Sequence, residues 1–240
     1  MSQISVLIPC YNEALYIREA VKSVVNQSFR DWELVIVDDG SDDGSSEELD
    51  SILTSFSQYP ISVVNQPHRG CAAATKLAIE NASSPLCTIL DGDDEFDPSS
   101  LQVVVDFFFR YPKIDFAWSK YRACSDGSTH WKLGRSKPLP PNQTLRQALL
   151  DGWWGALAQR SFRREAYFRT KGLDPRLPFA VDQQLAALFA ELGCEVAHIP
   201  VVTYYHLQHS KQMSAQHYKD QQQCRRKILE RLGGRYVKEK

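Results

Sequence analysis

No two cysteines are spaced as Cys-x-x-Cys, no Gly-x-Gly-x-x-Gly follows a strand, and no apolar run approaches the ~20 residues that a membrane span needs. Each absence closes off a class. The six dispersed cysteines (Cys10, Cys71, Cys87, Cys124, Cys194, Cys224) lie mostly in apolar or small-residue runs and read as buried, reduced thiols rather than zinc ligands or disulfides. The missing glycine fingerprint weakens a nicotinamide or flavin reading. With no basic leader between Met1 and the first strand, a soluble cytoplasmic protein is expected. Neither sign of charge dominates: 28 Lys and Arg against 29 Asp and Glu leave a net charge of -1. That excludes the broad basic field of a nucleic-acid binder, so any anionic ligand must be held locally.

What is present is 240 residues with 43% hydrophobic content, enough to bury one large core, alone or with a small appendage. The first half alternates strands and helices. Ile4 to Pro9 reads as a doubly buried strand, followed by the loop Cys10-Tyr11-Asn12-Glu13 and a helix with Ile17, Val21, Val24 and Val25 on one face. Trp32 to Val37 is a second strand and runs into Asp38-Asp39-Gly40-Ser41. Strand, helix, strand and helix make a parallel crossover unit, so the loops after both strands open on one edge of the sheet, where α/β folds bind ligands. Asp39 there suits a ribose or base; a turn that caps the next helix is the alternative. After a third strand, Ile61 to Asn65, comes Gln66-Pro67-His68-Arg69-Gly70 and a helix opening on Cys71-Ala72-Ala73-Ala74. Small residues and free amides there admit a phosphate, and Arg69 adds a charge or a stacking face.

Leu86 to Leu90 is the fourth strand and ends in Asp91-Gly92-Asp93-Asp94-Glu95. Carboxylates this close repel one another unless a proton or cation intervenes, and oxygen donors suit magnesium or manganese. A capped turn before the helix that opens at Asp97-Pro98 is the competing reading. Beyond the strand Ile114 to Trp118 the alternation stops. A hairpin around Ser125 to Ser128, a proline-rich loop from Gly134 to Gln143 and a short helix Thr144 to Leu150 lead to Gly152-Trp153-Trp154-Gly155. At least one of these indoles is expected to line a groove for a sugar or lipid, although core packing by both is nearly as well founded. Asp182 falls in the first turn of a helix running to Leu192, which the helix dipole alone would favour. Val196 to Ile199 and Val201 to Tyr205 are read as the last two strands. His206 and His209 follow, either as surface residues or as nitrogen donors to a nearby metal. Basic residues outnumber acidic ones from Lys219 to Lys240, a solvated face by default and a weak attraction to anionic membrane by the sharper reading.

In order, Val6-Leu7-Ile8-Pro9-Cys10-Tyr11-Asn12-Glu13, Val37-Asp38-Asp39-Gly40-Ser41 and Leu90-Asp91-Gly92-Asp93-Asp94 resemble the opening strand, nucleotide segment and DxD motif of the family 2 inverting glycosyltransferases. The match covers roughly the first 120 residues. The resemblance implies a GT-A fold: a Rossmann-like, mostly parallel central sheet flanked by helices, with a smaller acceptor-side C-terminal region. Residues 1–120 would form the nucleotide-sugar half, 121–218 the acceptor and catalytic-base half, and 219–240 a basic helix and tail. It also implies inverting transfer from a nucleotide diphosphate sugar to a saccharide or lipid-linked acceptor, with a manganese or magnesium cofactor. By similarity Pro9, Tyr11, Glu13, Asp39 and Arg69 contact the nucleotide, Asp91 lies by the ribose, and Asp93 ligates the cation.

The turn Gly172 to Arg176 resembles the family's turn before its catalytic acid pair, which places the base at Asp182. Val181 stands where the first acid of the pair belongs. His209 resembles the histidine of the closing loop, a cation or diphosphate contact, with Leu207 where the family often has arginine. Trp153 and Trp154 are the acceptor-side candidates. A nucleotidyltransferase would show a glycine-rich, basic loop after the first strand, which Cys10 to Glu13 lacks. A haloacid-dehalogenase-like phosphotransferase would carry its DxD at the end of the first strand. Val181 leaves open a nucleotide-sugar-binding module without transferase activity.

Overall fold

A computed structural model describes residues 2–125, 128, 130–155 and 158–233. Its first half follows the expected alternation: β1 (Ile4–Cys10), α1 (Ile17–Val25), β2 (Trp32–Asp38), α2 (Ser45–Ser55), β3 (Ile61–Asn65), α3 (Cys71–Asn81), β4 (Leu86–Ile89), β5 (Glu95–Phe96) and α4 (Ser100–Arg110). The second half comprises β6 (Ile114–Ser125), β7 (Lys132–Leu133), α5 (Leu145–Leu150), β8 (Ala158–Arg163), α6 (Arg164–Phe168), α7 (Val181–Glu191), β9 (Glu195–Gln208), α8 (Met213–Gln216) and α9 (Tyr218–Arg231). One curled sheet holds both halves, in the order β3-β2-β1-β4-β8-β6-β9-β5, with β7 paired to β6. β1 pairs in parallel with β2 and β4, and β2 with β3, so their carboxyl ends share one edge.

β1 is buried along its whole length, as its uninterrupted apolar run requires of a strand covered on both faces. Ile4, Val6 and Ile8 enter the core with α1 and α4, while Leu7 enters the core with α3, α5 and α7. Both faces of the sheet are therefore dry at β1, which leaves the loop at its carboxyl end to carry ligand chemistry.

Two details depart from the sequence reading. β8 was not foreseen; it runs antiparallel between β4 and β6, with Thr88 Oγ1 and Ser161 Oγ 2.9 Å apart across the β4 pair. The two expected final strands are one, β9. Pro200 lies where the β6 register jumps from Ser119↔Ile199 to Lys120↔Val202, so the irregularity tolerates a residue that cannot donate to the ladder. The hairpin exists in its arms, Arg122 opposite Leu133, while Asp126 and Gly127 of its turn lie outside the described residues. All six cysteines are free thiols. No described helix is long and apolar enough to cross a membrane.

Candidate active site

The acid loop begins where β4 ends. Leu90 N–H still donates to Leu7 O, and the chain then turns so that Asp94 N–H meets Asp91 O at 3.0 Å. The three aspartates go to different partners. Asp91 Oδ1 takes a 2.7 Å charge-assisted bond from Arg160 Nη2, and its Oδ2 accepts from the Tyr204 hydroxyl at 3.0 Å. Desolvation would raise this carboxyl, but Arg160 and Tyr204 hold it below the usual carboxylate range. Its side chain is still 39% exposed, open to a ligand. Asp93 Oδ2 lies 2.9 Å from His209 Nε2, and the His209 ring stacks on Tyr16 with centroids 4.4 Å apart. Asp94 is fully enclosed and accepts the Leu207 N–H at 2.8 Å while pairing with His206 Nδ1 at 3.1 Å. Asp94 thus ties the acid loop to β9 and is more than a turn residue.

This loop is electrostatically crowded. Burial together with the charges of Asp94 and Asp91 pushes the Asp93 carboxyl up to about 6. Glu13 is raised well above its ordinary value by burial and then by Asp93 and Asp91. Its Oε2 is sealed from solvent with no hydrogen-bond partner, as is His209 Nδ1. Glu13 is wedged so closely under the acid loop that a Cβ on Gly92 would fall 1.7 Å from that oxygen. Burial works against charge on His206, yet its bond to Asp94 and the neighbouring acids raise it overall.

The residues expected to contact the nucleotide share the same edge. Asn12, at φ 58°, exchanges bonds with Asp42, and Ser45 Oγ accepts the Glu13 N–H at 2.8 Å, so the loops after β1 and β2 are stitched together. Pro9 is inside β1 opposite Val37. The exposed Tyr11 stacks on His68 at 4.0 Å. Asp39 is buried and accepts from Arg69 N–H at 2.9 Å, Gly70 N–H at 2.8 Å and the Gln66 amide at 2.5 Å; His68 Nδ1 lies 2.9 Å away. Asp39 therefore organises the loop that presents the exposed Arg69.

That loop touches the segment that precedes α7. Gly70 has φ +88°, and a Cβ there would stand 2.7 Å from Pro178 Cβ, in the segment that leads into α7. Gly70→Ala is expected to cost about 1–3 kcal/mol through backbone strain and this clash. A lower Tm, with weakened binding of a nucleotide sugar, would be the readout.

Asp182 sits in the first turn of α7. Burial raises its carboxyl, Arg160 opposes that rise, and Asp91 adds to it, so the structure brings Asp182 into electrostatic reach of the acid loop. The turn before it is rigid: Gln184 accepts the Asp174 N–H at 3.1 Å and donates to Leu177 O at 2.5 Å. Val181, in place of an acid, packs against the core. Trp153 turns inward, donating from Nε1 to Pro138 O and meeting Trp118 edge-on at 5.4 Å. Trp154 lies under the Arg225 guanidinium, 4.6 Å from its ring centroid. Neither indole is joined to the acid loop by a contact the structure shows.

Arg160 and Tyr204 were missed by sequence reasoning, which named Asp94 only as a member of the acid cluster and His206 only as a surface residue or a nitrogen donor to a metal. Arg160 lies in a run with Arg163 and Arg164, and nothing local distinguishes it. Only the pairing of β8 with β4 carries it to Asp91. Tyr204 and His206 offered one signal, an aromatic and a titratable residue on one face of a strand that ends near His209.

Paired acids at the carboxyl ends of β2 and β4, a half-buried carboxylate in the first turn of α7 and a mixed α/β sheet together define a GT-A domain. The chain belongs to the family described as Glycosyl transferase family 2, whose model matches residues 5–170, and it is a glycosyltransferase domain. The chondroitin synthase of Pasteurella multocida is 24% identical over 212 residues, which is 88% of this chain and 21% of that protein. The chain thus spans about a fifth of this relative's length. The crystal structure of S. aureus TarS with UDP-GlcNAc superposes with a TM-score of 0.71 at 19% identity, covering 94% of this chain and 65% of that one. The Pyrobaculum calidifontis mannosyltransferase PcManGT, in complex with GDP-Man and Mn2+, gives 0.63 at 20% identity, covering 90% and 59%.

Proposed function

We propose that this domain transfers a sugar from a nucleotide diphosphate sugar to an acceptor hydroxyl with inversion at the anomeric carbon, and that a divalent cation assists. One observation carries the reading: Asp182, in the first turn of α7, lies within electrostatic reach of the bonded Asp91–Arg160 pair, in the acid loop that also holds the Asp93–His209 pair. The acid loop and the nucleotide loops then lie at one end of the parallel strands, with the base in reach of the acid loop.

Among the described residues no three His, Cys, Asp or Glu side chains converge as a ready-made metal cage. A magnesium-type cation does not need one, because it keeps waters and takes substrate phosphates as ligands. The residues fit such an ion: Asp93 and His209 offer an oxygen and a nitrogen side by side, and the crowded, raised carboxylates are a negative site short of positive charge. When bound, manganese or magnesium would neutralise charge on the departing diphosphate. Tyr11, Asp39 with its loop, Arg69 and the Pro9 to Glu13 segment hold the nucleoside and phosphates, and Asp91 reaches the ribose. Asp182 takes the proton of the acceptor hydroxyl as that oxygen attacks opposite the leaving group.

The donor is a uridine or guanosine diphosphate sugar, by analogy with what the two structural neighbours bind. The acceptor is a saccharide or a lipid-linked saccharide, approaching from the Trp153–Trp154 side. The exposed Lys219, Arg226 and Lys227 of α9 give a weak electrostatic attraction to anionic membrane. Val181 favours a binding module as second reading, because it removes one acid of the family pair.

Thermal denaturation with UDP- and GDP-sugars, each with and without Mn2+, tests the donor and the cation together. A ligand that binds only the folded state raises Tm. The expected result is a rise with one donor that is larger with Mn2+. No rise with any nucleotide sugar would remove the reading.

A further inference from the structure

β5 stops pairing with β9 at Glu95, opposite Tyr205, although β9 runs on to Gln208 beside β6. Where that backbone pairing ends, a side chain takes over. Asp94 is 1% exposed; its Oδ1 accepts the Leu207 N–H at 2.8 Å, and both its oxygens lie 3.1 Å from His206 Nδ1. The Leu207 carbonyl is held as well: the buried Gln212 donates to it from Nε2 at 2.5 Å, and the Gln212 N–H donates to His209 O at 3.3 Å. Leu207 is thus fixed through its backbone, by the acid loop at one side and by the far end of its own loop at the other. His209 lies between those anchors. Its side chain is 7% exposed, stacks on Tyr16 at the start of α1 and meets the Asp93 carboxylate at 2.9 Å.

We propose that Asp94 is a positioning residue for the cation site, gripping the end of β9 so that His209 stands against Asp93 before any cation or donor arrives. The inference rests on the reading of Asp93 and His209 as the cation pair. Neighbouring aspartates of one loop hold one segment at two points, Asp94 at Leu207 and Asp93 at His209. A loop left free would have to be ordered when the cation binds, at a cost in affinity that a loop already fixed does not bear. Residues that orient a metal ligand from behind are worth about 10- to 100-fold in metal affinity.

The test has one readout without a cation and one with it. In the metal-free protein, stacking on Tyr16 shifts the His209 ring protons upfield, and their absence in His209→Ala assigns them. Asp94→Ala is expected to move them to the position of an unstacked ring. It should also weaken Mn2+ binding about 10- to 100-fold in the presence of UDP or GDP, read from the EPR signal of free Mn2+. Asp94→Asn, whose side-chain oxygen can still accept the Leu207 N–H, should keep the ring shift and most of the affinity. In a His209→Ala background Asp94→Ala should cost little more, because its effect is routed through His209. Unmoved ring protons in Asp94→Ala would overturn the proposal. So would equal losses in Asp94→Asn and Asp94→Ala, which assign the effect to charge, or losses that multiply in the double variant, which route it past His209.

Should Asp94→Ala alone not fold, His206→Phe is compared with Asp94→Ala/His206→Phe, which removes both members of the buried side-chain pair and leaves neither without the other. The ring shift is expected in the first and not in the second; its survival in both would refute the proposal. If the wild type binds no Mn2+ with either nucleotide, the cation reading fails, and the ring protons still decide whether Asp94 holds His209.

Discussion

Asp182→Asn is expected to lower glycosyl transfer by about 100- to 10,000-fold while donor binding stays at the wild-type level. The substitution keeps the shape of the side chain and removes only its ability to accept a proton. It should not unfold the protein. Burial raises the Asp182 carboxyl, so the ionised form costs the native state free energy that the amide does not. A lost rate with an equal or higher Tm is therefore the expected pair of results. The wild-type rate should climb with pH through a pKa above the ordinary aspartate range, because the base must first lose its proton. Full transfer by Asp182→Asn would assign the base elsewhere.

The second large effect is expected at Asp93, where stability and function oppose one another. The folded-state carboxyl titrates at about 6, against about 3.9 in an unfolded chain. Between about pH 4 and 6 the folded state thus binds more protons than the unfolded one. Stability falls as pH rises through that window, and the full cost, on the order of 2–3 kcal/mol, applies above it. Asp93→Asn should remove this cost and still offer His209 an oxygen. The metal-free variant is expected to melt several degrees above wild type at pH 7.5 and to show a flatter pH dependence of Tm between pH 4 and 6. It should also lose the Mn2+-dependent part of the donor-induced Tm rise. A lower Tm with the wild-type pH slope would mean that Asp93 is not the crowded member of the loop; an intact Mn2+ response would place the cation elsewhere.

The acid loop was legible because its chemistry is local. Three carboxylates in four residues after an apolar run announce themselves in any fold, and the order of βα units fixes which sheet edge they occupy. Asp182 and His209 were legible through the resemblance rather than through physics, since a helix dipole accounts for one and surface exposure for the other. Arg160 was not legible at all. Its role depends on an antiparallel strand inserted between β4 and β6 and on a bulge at Gln159, neither of which leaves a periodic trace. Asp94 and Tyr204 were obscured similarly, because the contacts that define them span 113 positions of sequence. For Trp153 and Trp154 the sequence weighed groove against core nearly evenly. The structure sets Trp153 against Trp118 and Trp154 against Arg225.

Inversion by a single base is the centre of the account, and it can be tested without knowing the acceptor. Water can replace the acceptor hydroxyl, and the first anomer released from an α-linked nucleotide sugar records which face was attacked. Proton NMR of donor hydrolysis, followed before the free sugar equilibrates, should show the β-anomer first. Initial release of the α-anomer would mean retention, and would contradict direct attack assisted by Asp182.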